Sequence, residues 1–125
     1  MRRNVEIVAV LIIALFLLGA CAESQLKVQP IATSENPTEQ VNRLQEKIND
    51  ARNRQLNVLS PTWFGKAEAS LNDAKEGVER GNELSEILKK VADGHAQLQR
   101  AEEKSELVRT ALKDPIKARE RALAA

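Results

Sequence analysis

The chain has 125 residues, which is room for one domain, and its nineteen Lys and Arg nearly balance its eighteen Asp and Glu. That balance gives no electrostatic argument for nucleic-acid binding, which favours a clustered basic face. Only Phe16, Trp63 and Phe64 are aromatic, whereas enzyme pockets usually need more bulky residues. The single cysteine excludes an internal disulfide.

The first twenty residues have the pattern of a secretory signal. Met1-Arg2-Arg3 is a short positive start, and Ile7 to Ala20 is an unbroken apolar run of fourteen residues. A membrane-spanning helix needs roughly 20 apolar residues, but fourteen suits the core of a signal peptide. The sequence therefore predicts that residues 1–20 are a signal peptide.

The end of this run carries the strongest motif in the chain. Leu18-Gly19-Ala20-Cys21 resembles the lipobox of bacterial lipoproteins. The resemblance implies cleavage before Cys21, a diacylglycerol on its thiol, and a further acyl chain such as palmitate on the new amino group. Ala22, where lipoproteins retained at the inner membrane typically carry aspartate, implies an outer-membrane address. A retained signal anchor, or an ordinary cleaved signal with a spare thiol, is the alternative.

After the signal, residues 21–36 have no sustained apolar period, which predicts a lipidated, flexible tether. A first helix is expected to begin at Pro37, with Asn36 as its cap and Glu39 completing a capping box. It is expected to end near Leu59, before Ser60-Pro61. Its apolar stripe, interrupted at Gln55, comprises Val41, Leu44, Ile48, Ala51 and Val58.

Two further helices are expected. Pro61 starts the second with Ser60 as its cap, and Gly81 ends it in a left-handed conformation, with Asn82 as the next cap. The third is expected from Glu83 to Lys113, stopping at Asp114-Pro115. Its stripe comprises Leu84, Ile87, Val91, Leu98, Ala101, Val108 and Leu112, and Gly94 falls on it, where a glycine can kink or loosen the helix.

These patterns predict an all-α protein: a signal and tether followed by an antiparallel three-helix bundle or a helical hairpin over residues 37–113. Residues 114–125 are predicted to be the start of a further helix. The similarity between "ARNRQL" at 51–56 and "ARERAL" at 118–123 is either chance or the trace of a further repeat in a longer protein. The sequence leaves open whether the chain is truncated at Ala125.

Residues 59–103 carry a second resemblance. "LSPTWFGKAEASLNDAKEGVERGNELSEILKKVADGHAQLQRAEE" is similar to the alanine-rich helical domain of unknown function in bacterial envelope lipoproteins. The shared features are Pro61 before Phe64, an Ala/Leu stripe and a turn at Gly81. In that family an OmpA-like peptidoglycan-binding domain often follows. The resemblance implies a peptidoglycan partner only if such a domain follows here.

No catalytic, cofactor-binding or metal-binding constellation is visible in the sequence. His95 is the only histidine, and metal sites and nucleophile–base pairs need partners, so we expect it to be a solvated helix residue. Trp63 and Phe64 are expected to pack at a helix start, with an exposed partner contact as the alternative. We interpret the protein as a non-enzyme without a cofactor.

The sequence favours a lipid-anchored helical protein on the periplasmic face of the outer membrane, with a structural or adaptor role in the cell envelope. The expected partners are the membrane, through acyl chains on Cys21, and an envelope protein or a second copy; no nucleic acid is expected. The alternatives are a coiled-coil oligomeric spacer lipoprotein, or an accessory subunit anchored in the inner membrane by an uncleaved signal.

Overall fold

A computed structural model of the chain describes residues 25–124, and their regular structure is all-helical, which confirms the predicted class. The helices pack against one another. In chain order they are α1 (Pro37–Asn53), α2 (Leu56–Leu59), α3 (Pro61–Arg80) and α4 (Leu84–Ala124).

The predicted Asn36 cap at the start of α1 is present, and the carboxylate of Glu39, expected to complete a capping box, pairs with Arg43. Pro37 takes the first turn, and the Asn36 side-chain oxygen accepts a hydrogen bond from the Glu39 backbone N–H at 3.2 Å. This bond satisfies one of the backbone donors that have no partner inside the helix. The predicted stripe is buried through the helix, at Val41, Leu44, Ile48 and Ala51.

The prediction that the first helix reaches Leu59 is wrong, because the chain breaks at Gln55. This residue has a left-handed backbone with φ of 65°, and the short helix α2 starts after it. The break turns Leu56 fully into the core, while Val58, predicted to be on the stripe, is 70% exposed. Burial of a leucine, worth about 1.5–3 kcal/mol, offsets the cost of about 1–2 kcal/mol for a left-handed residue.

The predicted turn after the second long helix is confirmed. Gly81 is left-handed with φ of 68°. The Asn82 N–H donates to the Gly77 carbonyl at 2.9 Å, and the Gly81 N–H donates to Val78 at 3.3 Å. Together these bonds are a Schellman motif. Helix α4 begins at Leu84, one residue later than predicted.

Side-chain contacts give the directions of the three long helices. Lys90 bonds Asp73 at 2.8 Å and Ser70 bonds Gln97 at 2.7 Å, so α3 and α4 are antiparallel. Arg52 bonds Glu68, and Lys75 bonds Gln45, so α1 and α3 are also antiparallel. Helices α1 and α4 therefore run parallel, and all four helices contribute residues to the apolar core.

Helix α4 runs unbroken through Gly94, which neither kinks nor ends it. Gly94 is buried, and a Cβ built on it would lie 2.6 Å from Cδ2 of Leu44. Glycine at this position therefore allows α1 and α4 to approach more closely than any residue with a side chain would.

The predicted stop at Asp114-Pro115 is also wrong. Helix α4 includes Pro115 and continues to Ala124, so residue 114 does not begin a separate helix. Ser105 is the last buried residue, and Val108 and Leu112, expected in the core, are 37% and 47% exposed. Proline removes one donor to the carbonyl four residues before it, and that residue, Ala111, is exposed to water. We call residues 107–124 the α4 extension.

Candidate functional site

The predicted lipidation and cleavage residues, Leu18, Gly19, Ala20 and Cys21, lie outside the described residues 25–124. What the structure does describe is the chain that follows them. Residues 25–36, the N-terminal segment, have no helix and lie against the bundle. Ile31 packs on the core, and Gln40 donates a hydrogen bond to Glu35 at 3.1 Å. This part of the predicted tether is docked on the bundle.

The N-terminal segment, α1 and α4 together line an open cleft of about 1010 Å³. Ile31 and Pro30 form one wall, and Ala92 and Ala96 of α4 lie at its base. Charged side chains of both signs, including Arg43 and Glu46, lie around it. A cleft with a small apolar base and a mixed charged rim is suited to contact a polypeptide.

His95 lines this cleft and is half-buried, not solvated as expected. Burial, and secondly the positive charge of Lys47, lower the pKa of His95 below its ordinary value of 6.5. The neutral imidazole is therefore the favoured form at neutral pH. Within residues 25–124, no three His, Cys, Asp or Glu side chains lie close enough together to hold a metal ion.

A charged cluster lines the cleft beside the end of α1. Arg54 bonds Glu102 at 2.6 Å and Asp50 at 3.0 Å, and the hydrogen bond to Glu102 raises the pKa of Arg54. Arg109 bonds Glu106 and donates to the Arg54 carbonyl, each at 2.7 Å. Arg109 therefore satisfies a carbonyl at the end of α1.

The two aromatic residues of α3 pack as expected. Phe64 is 2% exposed and belongs to the core, and half-buried Trp63 packs against it from outside. The Lys66 ammonium lies 4.3 Å from the centre of the Trp63 ring, within the range of a cation–π contact.

Two residues of the cleft and its charged cluster, Ile31 and Arg109, have no distinctive pattern in the sequence. Ile31 belongs to no periodic apolar pattern, and Arg109 looks like any exposed helix charge. The proline before Ile31 is the one local hint of an ordered segment.

No helix in the described range 25–124 is long and apolar enough to cross a membrane. Comparison with protein-family models, curated proteins and solved structures finds no match to this chain.

Proposed function

We propose that this chain is a bacterial lipoprotein, anchored by acyl chains on Cys21 and facing the periplasm from the outer membrane, with a structural or adaptor role. One observation carries the proposal: Leu18-Gly19-Ala20-Cys21 closes a fourteen-residue apolar run that follows two arginines. Two acyl chains suffice to hold a protein on a bilayer, since each buried methylene contributes about 0.8 kcal/mol.

The docked N-terminal segment supports the adaptor role. Because Ile31 packs on the core, little free chain separates Cys21 from the helices. An anchor on such a short connection would hold the bundle of three long helices close to the membrane. The cleft beside Ile31 is the surface that we assign to an envelope partner, with peptidoglycan as a further partner only if a wall-binding domain follows.

The experiment is metabolic labelling with palmitate in the native envelope. The wild-type protein is expected to take up label and to be shortened by its signal, and Cys21→Ser to do neither. A Cys21→Ser/Ser24→Cys protein is the matched control, because it keeps one thiol but moves it out of the motif. It is expected to remain unlabelled.

Two results would contradict the proposal. Label on the Cys21→Ser protein would place the acyl chains elsewhere. An unlabelled, uncut wild-type protein would support the alternative of an inner-membrane subunit anchored by residues 1–20.

A further inference from the structure

The core-facing stripe of α4 does not stop where the core stops. At helical spacing, the buried residues Leu98, Ala101 and Ser105 are followed on the same face by residues of the α4 extension. Exposure rises along that face and reaches 77% at the end; the residues are Val108, Leu112, Ile116 and Leu123. Among residues 25–124, the stripe therefore has no partner beyond Ser105.

A single helix with an exposed apolar stripe is stabilised by contact with a surface that covers the stripe. The α4 extension is eighteen residues long and contains Pro115, and most of the stability of a helix in a protein comes from packing of its amphipathic face. Proline inside a helix costs about 3 kcal/mol. An apolar stripe that is covered by another phase or molecule would stabilise the helix.

The charge of the α4 extension indicates that the surface covering its stripe is anionic. The α4 extension carries five basic side chains against two acidic ones, whereas residues 25–106 carry twelve against fourteen. Two extensions from two copies would therefore repel each other, and an anionic surface would attract both. Arg119, which falls on the stripe, can lay its aliphatic stem along an apolar face while its guanidinium reaches a phosphate.

The position of Gln25 indicates the same surface. Gln25, Leu26 and Lys27 line a cavity of about 250 Å³ together with Ala96, Gln99, Arg100 and Glu103. Gln25 therefore lies beside the last three or so turns of α4 before the α4 extension begins. Cys21 precedes it by four residues, and a chain spans at most about 3.3–3.6 Å per residue, so Cys21 is within about 14 Å of Gln25.

We propose that the α4 extension is a second membrane contact, which lies on the anionic surface of the bilayer with Val108, Leu112, Ile116 and Leu123 facing the acyl chains. This inference rests on the proposed lipid anchor at Cys21. Arg119 on the stripe and Lys113 beside it contact the lipid phosphates. A basic amphipathic helix binds membranes in this way, and each Lys or Arg near an anionic surface adds to the attraction.

The experiment measures how fast a charged maleimide alkylates a cysteine placed on the extension of the mature, lipidated protein. Ile116→Cys reports on the stripe, and Leu107→Cys is the matched control. The native side chains are 54% and 64% exposed, but Leu107 lies off the stripe. Proteins are reconstituted in vesicles of phosphatidylcholine alone or of phosphatidylcholine with phosphatidylglycerol.

We expect the two cysteines to react at similar rates in neutral vesicles. In anionic vesicles the cysteine at 116 is expected to react about tenfold more slowly than the one at 107. Lys113→Gln/Arg119→Gln is expected to abolish that difference, while Lys47→Gln/Lys89→Gln, which removes two charges from the packed helices, leaves it.

Two results would overturn the membrane contact. Equal rates in both kinds of vesicle would show that lipid does not cover the stripe. Shielding in neutral vesicles that grows with protein density would show that a second copy covers it. The wild-type protein tests the anchor separately: an acylated Cys21 has no free thiol, so alkylation there overturns the proposed function and not the rate comparison.

Discussion

The two halves of α4 share one helix and one apolar stripe but have opposite surroundings. From Leu84 to Ser105 the stripe is covered by α1 and α3, and Leu98 is 4% exposed. In the α4 extension the same face carries Leu112, which is 47% exposed. Periodicity in the sequence therefore decides which face of the helix is apolar, whereas the lengths of the neighbouring helices decide how much of that face is buried.

This contrast has consequences for stability. A fully buried leucine contributes about 1.5–3 kcal/mol relative to an exposed one, so the first half of α4 is held by the core. Within residues 25–124, the α4 extension has no such contribution. We expect it to open locally while the bundle remains folded.

The largest effect is expected for a pair of identical substitutions in the two halves. Leu98→Ala removes a buried side chain and should lower the free energy of unfolding by about 2–5 kcal/mol. Leu112→Ala should change it by less than about 0.5 kcal/mol. Urea unfolding of both variants is the measurement, and equal losses would show that the extension is packed in the free protein.

The next effect concerns the extension alone. Pro115→Ala should stabilise the extension helix by up to about 3 kcal/mol, seen as slower hydrogen exchange of its amides. The free energy of unfolding of the bundle should not change. Pro61→Ala is the control, because proline is well tolerated at a first helical position. A bundle stabilised as much as the extension would mean that the two halves unfold together.

Substitutions of two glycines test the close approach of α1 and α4 at Gly94. Gly94→Ala places a Cβ against Leu44 and should destabilise the protein by about 1–3 kcal/mol, as overpacking does. At exposed Gly65 a Cβ would meet nothing within 4 Å, so Gly65→Ala should stabilise α3 by up to about 1 kcal/mol. The melting temperatures should move in opposite directions. A stabilising Gly94→Ala would contradict the contact with Leu44.

The smallest effect is expected from His95. Because the folded state lowers the pKa of His95 below its ordinary value of 6.5, the unfolded chain binds more protons in that range. Stability should therefore decrease as the pH falls through about 6.5. His95→Gln should remove this part of the pH dependence, measured as the difference in melting temperature between about pH 7.5 and 5.5. If His95→Gln and the wild type show the same difference in melting temperature between the two pH values, His95 is exposed to solvent.

The features that could be predicted from the sequence are those set by neighbours in the chain. The Asn36 cap and the Gly81 turn each depend on the conformation of four to six consecutive residues, and both are present. The helical class follows from composition and spacing in the same local way.

The features that could not be predicted depend on contacts far apart in the chain. Gln55 is left-handed because Leu56 is buried against distant helices, and Gly94 is required by Leu44 on another helix. Pro115 normally indicates a stop, but in an exposed helix its missing bond leaves a carbonyl that water can reach. The cleft could not be predicted because part of its lining is Ile31, which belongs to no periodic apolar pattern in the sequence. The proposed anchor depends on a contiguous motif, so the sequence alone indicates it.

The most direct test of the account is mass spectrometry of the tryptic peptide that contains Cys21 from the native envelope. Trypsin cuts after Arg3 and Lys27, with no basic residue between them. Lipidation at Cys21 predicts a peptide from Cys21 to Lys27 that carries acyl chains. A peptide from Asn4 to Lys27 with a free thiol would contradict it and identify residues 1–20 as a retained part of the protein.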